Sequence, residues 1–67
     1  MEHDELLTER QAAQLLTWTV KTLQARRWLK QPPVYLKLGR SIRYRRSDLE
    51  AFLEDCAVEP REAARVK

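Results

Sequence analysis

Apolar residues recur along the chain with two periods, helical at both ends and alternating between them. Ala12, Leu15 and Leu16 follow helical spacing and form one narrow stripe. Thr8 stands before them as an N-cap, with Gln11 placed to complete a capping box and Leu7 to staple onto Ala12, so the first helix is expected over Glu9–Leu16. Thr17, Trp18 and Thr19 break the stripe and read as a tight connection, with Thr19 as the next N-cap. A second helix is expected over Val20–Leu29, its thin inner face made of Val20, Leu23 and the stem of Arg27. On its other side Lys21, Gln24, Ala25 and Trp28 share one face at i, i+3, i+4, i+7. Pro32 and Pro33 end that helix, since neither can donate a backbone hydrogen bond.

The period then changes to two. Val34, Leu36 and Leu38 alternate with Tyr35 and Lys37, and Ile42 and Tyr44 alternate with Arg43 and Arg45. Inward Val34, Leu36 and Leu38 demand a loop of odd length. A three-residue Gly39–Ser41 loop pairs Leu38 with Ile42 and Leu36 with Tyr44, and a five-residue loop has the same parity; the shorter is preferred. A two-residue Gly39–Arg40 loop would pair Lys37 with Ile42 and mix the faces. The preferred register sets Lys37 opposite Arg43 on the exposed face, a repulsion that an anion would relieve. Tyr35 is then outward, near sugar and phosphate, and Tyr44 is core.

Helical spacing returns in Leu49, Phe52, Leu53 and Cys56, behind a Ser47–Glu50 capping box and a favourable Asp48 charge. Cys56 is read as a small core residue and Trp18 as core, while Trp28 fits either the core or an exposed edge. The expected fold is α+β and mainly helical: a winged helix-turn-helix in the order helix, helix, β-hairpin, helix. Residues 1–6 are expected to be a flexible, frayed end, residues 7–57 the domain, and residues 58–67 a tail available to a neighbour or partner.

Charge sharpens this outline. Arg10–Ser47 contains no Asp or Glu, yet holds ten of the thirteen Lys and Arg residues. All ten acids lie outside it, and net charge is +3. A basic stretch of this kind is suited to a polyanion, double-stranded DNA above all. Lys21, Thr22, Gln24 and Ala25 are the candidate major-groove readers: Gln can pair with adenine, Lys can reach guanine or phosphate, and Ala can meet a thymine methyl. Thr19, Arg26, Arg27, Lys37, Arg40, Arg43 and Arg45 are the candidate wing and phosphate contacts, with Arg40 favoured for a narrow minor groove. Arg26, Arg27 and Arg46 are alternatively structural stems.

Composition excludes other classes. One His and one Cys make no metal-ligand set, and one Gly leaves no phosphate-cradling loop, so no cofactor or small-molecule substrate is expected. Ser41 and Ser47 lack a histidine base and the basic half lacks paired carboxylates, so no enzyme is expected. No signal peptide or membrane span is visible, and the lone Cys suits a reducing cytoplasm. A basic module meeting an acidic protein is the competing reading.

Several motifs together resemble a known family. Leu7-Thr8, Gln11-Ala12-Ala13, Leu15-Leu16 and Thr19-x-x-Thr22-Leu23-Gln24 are similar to its first helices. Pro33, Leu36-Lys37-Leu38-Gly39-Arg40, Ile42-x-Tyr44-Arg45-Arg46-Ser47-Asp48-Leu49 and Phe52-Leu53 are similar to its wing and last helix. The family is that of small phage and integrative-element excisionases, or recombination directionality factors, with AlpA-like regulators and the DNA-binding heads of MerR proteins. It commonly has a small residue, often glycine, where this chain has Thr17, and a hydrophobic or aromatic one where it has Arg26. The resemblance implies a cytoplasmic, nucleoid-associated protein that binds and bends DNA beside a recombination site and directs a tyrosine recombinase toward excision. An AlpA-like regulator would use the same surface at a promoter. The chain shows no long dimerisation helix or effector domain of the MerR kind, so a monomer is expected that self-associates cooperatively on tandem DNA sites.

Overall fold

A computed structural model describes residues 4–58. The order is β1 (Leu6–Thr8), α1 (Glu9–Leu16), α2 (Val20–Trp28), β2 (Leu36–Leu38), β3 (Ser41–Arg45) and α3 (Arg46–Cys56). This is the winged helix-turn-helix arrangement of helix, helix, hairpin and helix, with one strand added in front. The expected tail lies outside the described residues except for Val58.

Thr8 caps α1 as its sequence suggests. Its Oγ1 accepts from the Gln11 amide at 3.1 Å, and the Gln11 side chain accepts from the Thr8 amide at 2.9 Å. Thr19 caps α2, accepting from the Thr22 amide at 3.1 Å. Between the helices the Trp18 amide donates to the Ala13 carbonyl at 2.9 Å, which Thr17 permits by taking a left-handed φ of 57°. That conformation is rare for a β-branched residue. Helix α2 ends at Trp28, one residue earlier than expected, and Lys30 at φ 60° turns the chain toward the prolines.

The hairpin differs from the expected one. Its loop is Gly39–Arg40, and the register pairs Leu36 with Arg43, Lys37 with Ile42 and Leu38 with Ser41. Gly39, first in the loop, has a φ of +64°, the backbone state that a two-residue Gly-X turn needs there. Parity misled because the core lies under only the root of the wing. There Tyr35, not Leu36, lies against Tyr44, with ring centroids 6.2 Å apart, so Tyr35 is half-buried rather than outward. Farther out no buried face enforces the pattern, and Leu38 stays exposed. Lys37 and Arg43 consequently project from opposite faces of the wing, and the expected repulsion between them does not arise.

Strand β1 joins the hairpin to make a three-stranded antiparallel sheet in the order β1-β3-β2. Leu7 pairs with Tyr44, and both are buried. With Ala12, Ala13, Leu16, Leu23 and Leu49 they form the core, and Leu15, Trp18, Val20, Tyr35, Ile42 and Phe52 pack around it. Burial, then the nearby Glu9 charge, pushes the Tyr44 phenol above its ordinary pKa and keeps it neutral.

The approach to β1 is held rather than frayed. The Asp4 carboxylate accepts from the Ser47 hydroxyl at 2.6 Å and the Ser47 amide at 3.2 Å, and the Glu5 carbonyl accepts from the Arg46 amide at 2.9 Å. Helix α3 therefore begins at Arg46, with Asp4 satisfying its first turn from a distance. The expected Ser47–Glu50 capping box does not form, because the Ser47 side chain is already engaged with Asp4. Cys56 is exposed, not core, since only the Leu49 and Phe52 end of α3 meets other elements.

Two outcomes follow. Thr17→Gly relieves the left-handed strain of about 1–2 kcal/mol at the cost of about 0.5–1 kcal/mol of added chain entropy, a net gain of about 0.5–1 kcal/mol by urea denaturation. Hydrogen bonds, chiefly from the Ser47 hydroxyl, hold the Asp4 carboxyl below its ordinary value. Its folded-state pKa is depressed, so its contribution is present above about pH 4 and is lost as pH falls through the lowered value. Asp4→Ala should lower the melting temperature at pH 7, and the gap to wild type should close on acidification below about pH 4.

Candidate nucleic-acid interface

Helix α2 turns its sides to different tasks. Leu23 is fully buried and anchors it. Arg27 lies toward α1, where its Nε pairs with Glu9 Oε2 at 3.1 Å and its guanidinium carbon sits 5.9 Å from the Tyr35 ring centroid. Glu9 also accepts a long hydrogen bond of 3.4 Å from Gln24 Nε2. One carboxylate at the start of α1 thus ties down two α2 side chains and sets how the helices sit together.

Arg26 turns toward α3. Its guanidinium carbon lies 5.1 Å from the Trp18 ring centroid and 5.8 Å from that of Phe52, and its Nε donates to the Pro32 carbonyl at 2.8 Å. Trp18 and Phe52 meet edge to face at 5.9 Å. Arg26 is thereby a packing residue that joins three segments, which makes it one of the structural stems.

The remaining face of α2 is open. Lys21, Gln24, Ala25, Trp28 and Leu29 line a shallow groove of about 570 Å³. The helical spacing placed the first four together, and the structure brings Leu29 beside them. Thr22 is exposed next to them, while the Thr19 hydroxyl is used in capping, 3.0 Å from that of Thr22. Trp28, which the sequence left between core and surface, is 80% exposed.

On the wing, Arg40 stands exposed at the tip and Lys37 is exposed on one face. Arg43 rises from the other, its Nη1 donating to the Ile42 carbonyl at 2.8 Å. Arg45 lies at the wing root and is paired with Asp48 at 2.8 Å. Arg46 sits between Glu5 and Glu50 at 3.7 and 3.6 Å. Among the described residues, Arg10, Lys21, Lys30, Lys37, Arg40 and Arg43 form no ion pair. The acid-free stretch of sequence is therefore not acid-free in space, and its uncommitted charge concentrates on Lys21 and the wing. Glu9 and Glu5 come from far along the chain, which spacing could not show, whereas Asp48 and Glu50 are the i+3 and i+4 neighbours of Arg45 and Arg46.

The helix-turn-helix domain family model matches residues 6–57. The chain belongs to this family. Its members are small DNA-binding domains, and the groove and the wing are the exposed parts of that architecture. Comparison with curated proteins and with solved structures gives no significant match. Among the described residues no cluster of metal-ligating side chains occurs, and no helix is long and apolar enough to cross a membrane.

The division of labour on α2 can be measured. Arg26→Ala should lower stability by about 1–2 kcal/mol in urea, through loss of the aromatic contact and the Pro32 hydrogen bond. Lys21→Ala should leave it within about 0.5 kcal/mol, as expected for an uncommitted surface position.

Proposed function

We propose that this helix-turn-helix protein is a sequence-specific DNA-binding accessory factor of the excisionase kind. It binds tandem sites beside a recombination site, organises and bends the DNA, and directs a tyrosine recombinase toward excision without cutting a bond itself. Helix α2 enters the major groove with Lys21, Thr22, Gln24 and Ala25 toward the bases. The wing contacts the backbone, Arg40 reaching into the adjacent minor groove.

One observation carries this reading: of the cations without an ion pair among the described residues, Lys21 lies on the open face of α2 and Lys37, Arg40 and Arg43 lie on the wing, while the cations elsewhere on α2 and at the wing root are engaged within the fold. The wing geometry adds to it. With Lys37 and Arg43 on opposite faces and Arg40 between them, the hairpin can meet a phosphate strand on either side. Gln24 reaches a base edge by exchanging its long bond to Glu9 for a shorter one to adenine. The assignment to excision rests on the resemblance of the helix and wing motifs to small excisionases. Their recombinase partner and cooperative binding on DNA are part of the same proposal.

A footprint on DNA spanning the recombination site of the element that encodes the protein, at two salt concentrations, tests the DNA reading. Arg40→Ala and Arg43→Ala should each weaken binding to all sequences and reduce the salt slope by about one. Gln24→Ala should relax preference at one base pair and cost ~1–3 kcal/mol there. Excision measured with and without the protein separates a directionality factor from a promoter-bound regulator: unchanged excision sinks the first.

A further inference from the structure

We propose that Trp28 is an apolar DNA anchor, its indole leaving water against a thymine methyl or deoxyribose at the C-terminal end of the recognition helix. The inference rests on the DNA-binding reading above. A single exposed apolar residue means little by itself; its position is what matters. Trp28 is 80% exposed and Leu29 66% exposed, and both line the groove that Lys21, Gln24 and Ala25 share. Lys21 lies seven residues earlier, about 10 Å along the helix axis, so cation and indole stand at the two ends of one face, within the roughly 12 Å width of a major groove.

The surroundings select the occupant. Lys21 forms no ion pair among the described residues, and Lys30, exposed two residues beyond Trp28, forms none either. An apolar patch set within unpaired positive charge is complementary to a ligand that is anionic along its backbone and apolar at its sugars and thymine methyls. The chain's other tryptophan, Trp18, is half-buried between Arg26 and Phe52 and is spent on the fold. Trp28 has no such partner ring or cation among the described residues.

An apolar contact releases no counterions, so its contribution should not depend on salt. This separates it from the neighbouring Lys21. The test uses duplexes that the wild-type protein retains from a randomised pool. Trp28→Ala should weaken binding on the order of ten- to a hundredfold at every salt concentration with the slope unchanged, whereas Lys21→Ala should reduce the slope. Tryptophan emission should shift when DNA is added to the wild type and stay constant in Trp28→Phe, in which Trp18 still reports the fold. Replacing thymine by uracil in the site then locates the contact. A loss in the wild type that Trp28→Ala does not share assigns it to the methyl; no loss assigns it to the deoxyribose. Wild-type affinity in Trp28→Ala, a loss that vanishes at high salt, or an emission unmoved by DNA would each overturn the proposal while leaving DNA binding intact. Failure of the wild type to retain any duplex overturns both.

Discussion

Tyr44 holds the centre of a core too small to spare it. Seven hydrophobic residues form the buried core among the described residues, and Tyr44 is the largest fully enclosed side chain among them. Its strand is the middle of the sheet, so its backbone pairs with Leu7 while its ring packs against Tyr35. Through these contacts the beginning of the chain, the root of the wing and the start of α3 become one body. A domain of this size buries a smaller fraction of its surface than a larger one does, and a central aromatic joining several elements adds substantially to it. The wing projects past that core, which is why its register follows its turn rather than its apolar pattern.

Electrostatic pairing complements this packing. Acids flanking the basic stretch return in space to its structural members: Glu9 to Arg27, Asp48 to Arg45, Glu5 and Glu50 to Arg46. The exposed pairs of Arg46 contribute little stability each. The larger effect of all these pairs is on the surface. They remove charge from the root of the wing and the α1 side of α2, and leave most of the unpaired charge among the described residues at Lys21, Lys37, Arg40 and Arg43, with Arg10 and Lys30 the others. A basic patch that looks continuous in sequence is thereby focused on the two parts that project from the fold.

Arg26 shows how one position changes meaning once its neighbours are known. In sequence it is one more cation in a basic helix. In the fold its guanidinium lies over Trp18 and Phe52, closing an aromatic contact between the helix turn and α3. It stands where the resembling family commonly has a hydrophobic or aromatic side chain, and a flat guanidinium with a long apolar stem can occupy such a place.

The three helices and the caps of the first two were legible in the chain's local pattern. Thr8, Gln11 and Thr19 act within four residues of their targets, and the stripe of Ala12, Leu15 and Leu16 repeats at the helix period, so local chemistry sufficed. The face shared by Lys21, Gln24, Ala25 and Trp28 was legible for the same reason. Tertiary structure alone decided what depends on residues far apart in the chain. Strand β1 exists because β3 offers Leu7 a partner, and α3 is capped by Asp4 across forty-three residues. The hairpin register was settled by Gly39 and by where the core ends, and the contacts of Arg26 and Arg27 by rings and an acid brought to them in folding. Period and capping are properties of neighbouring residues; pairing and burial are properties of the folded surface.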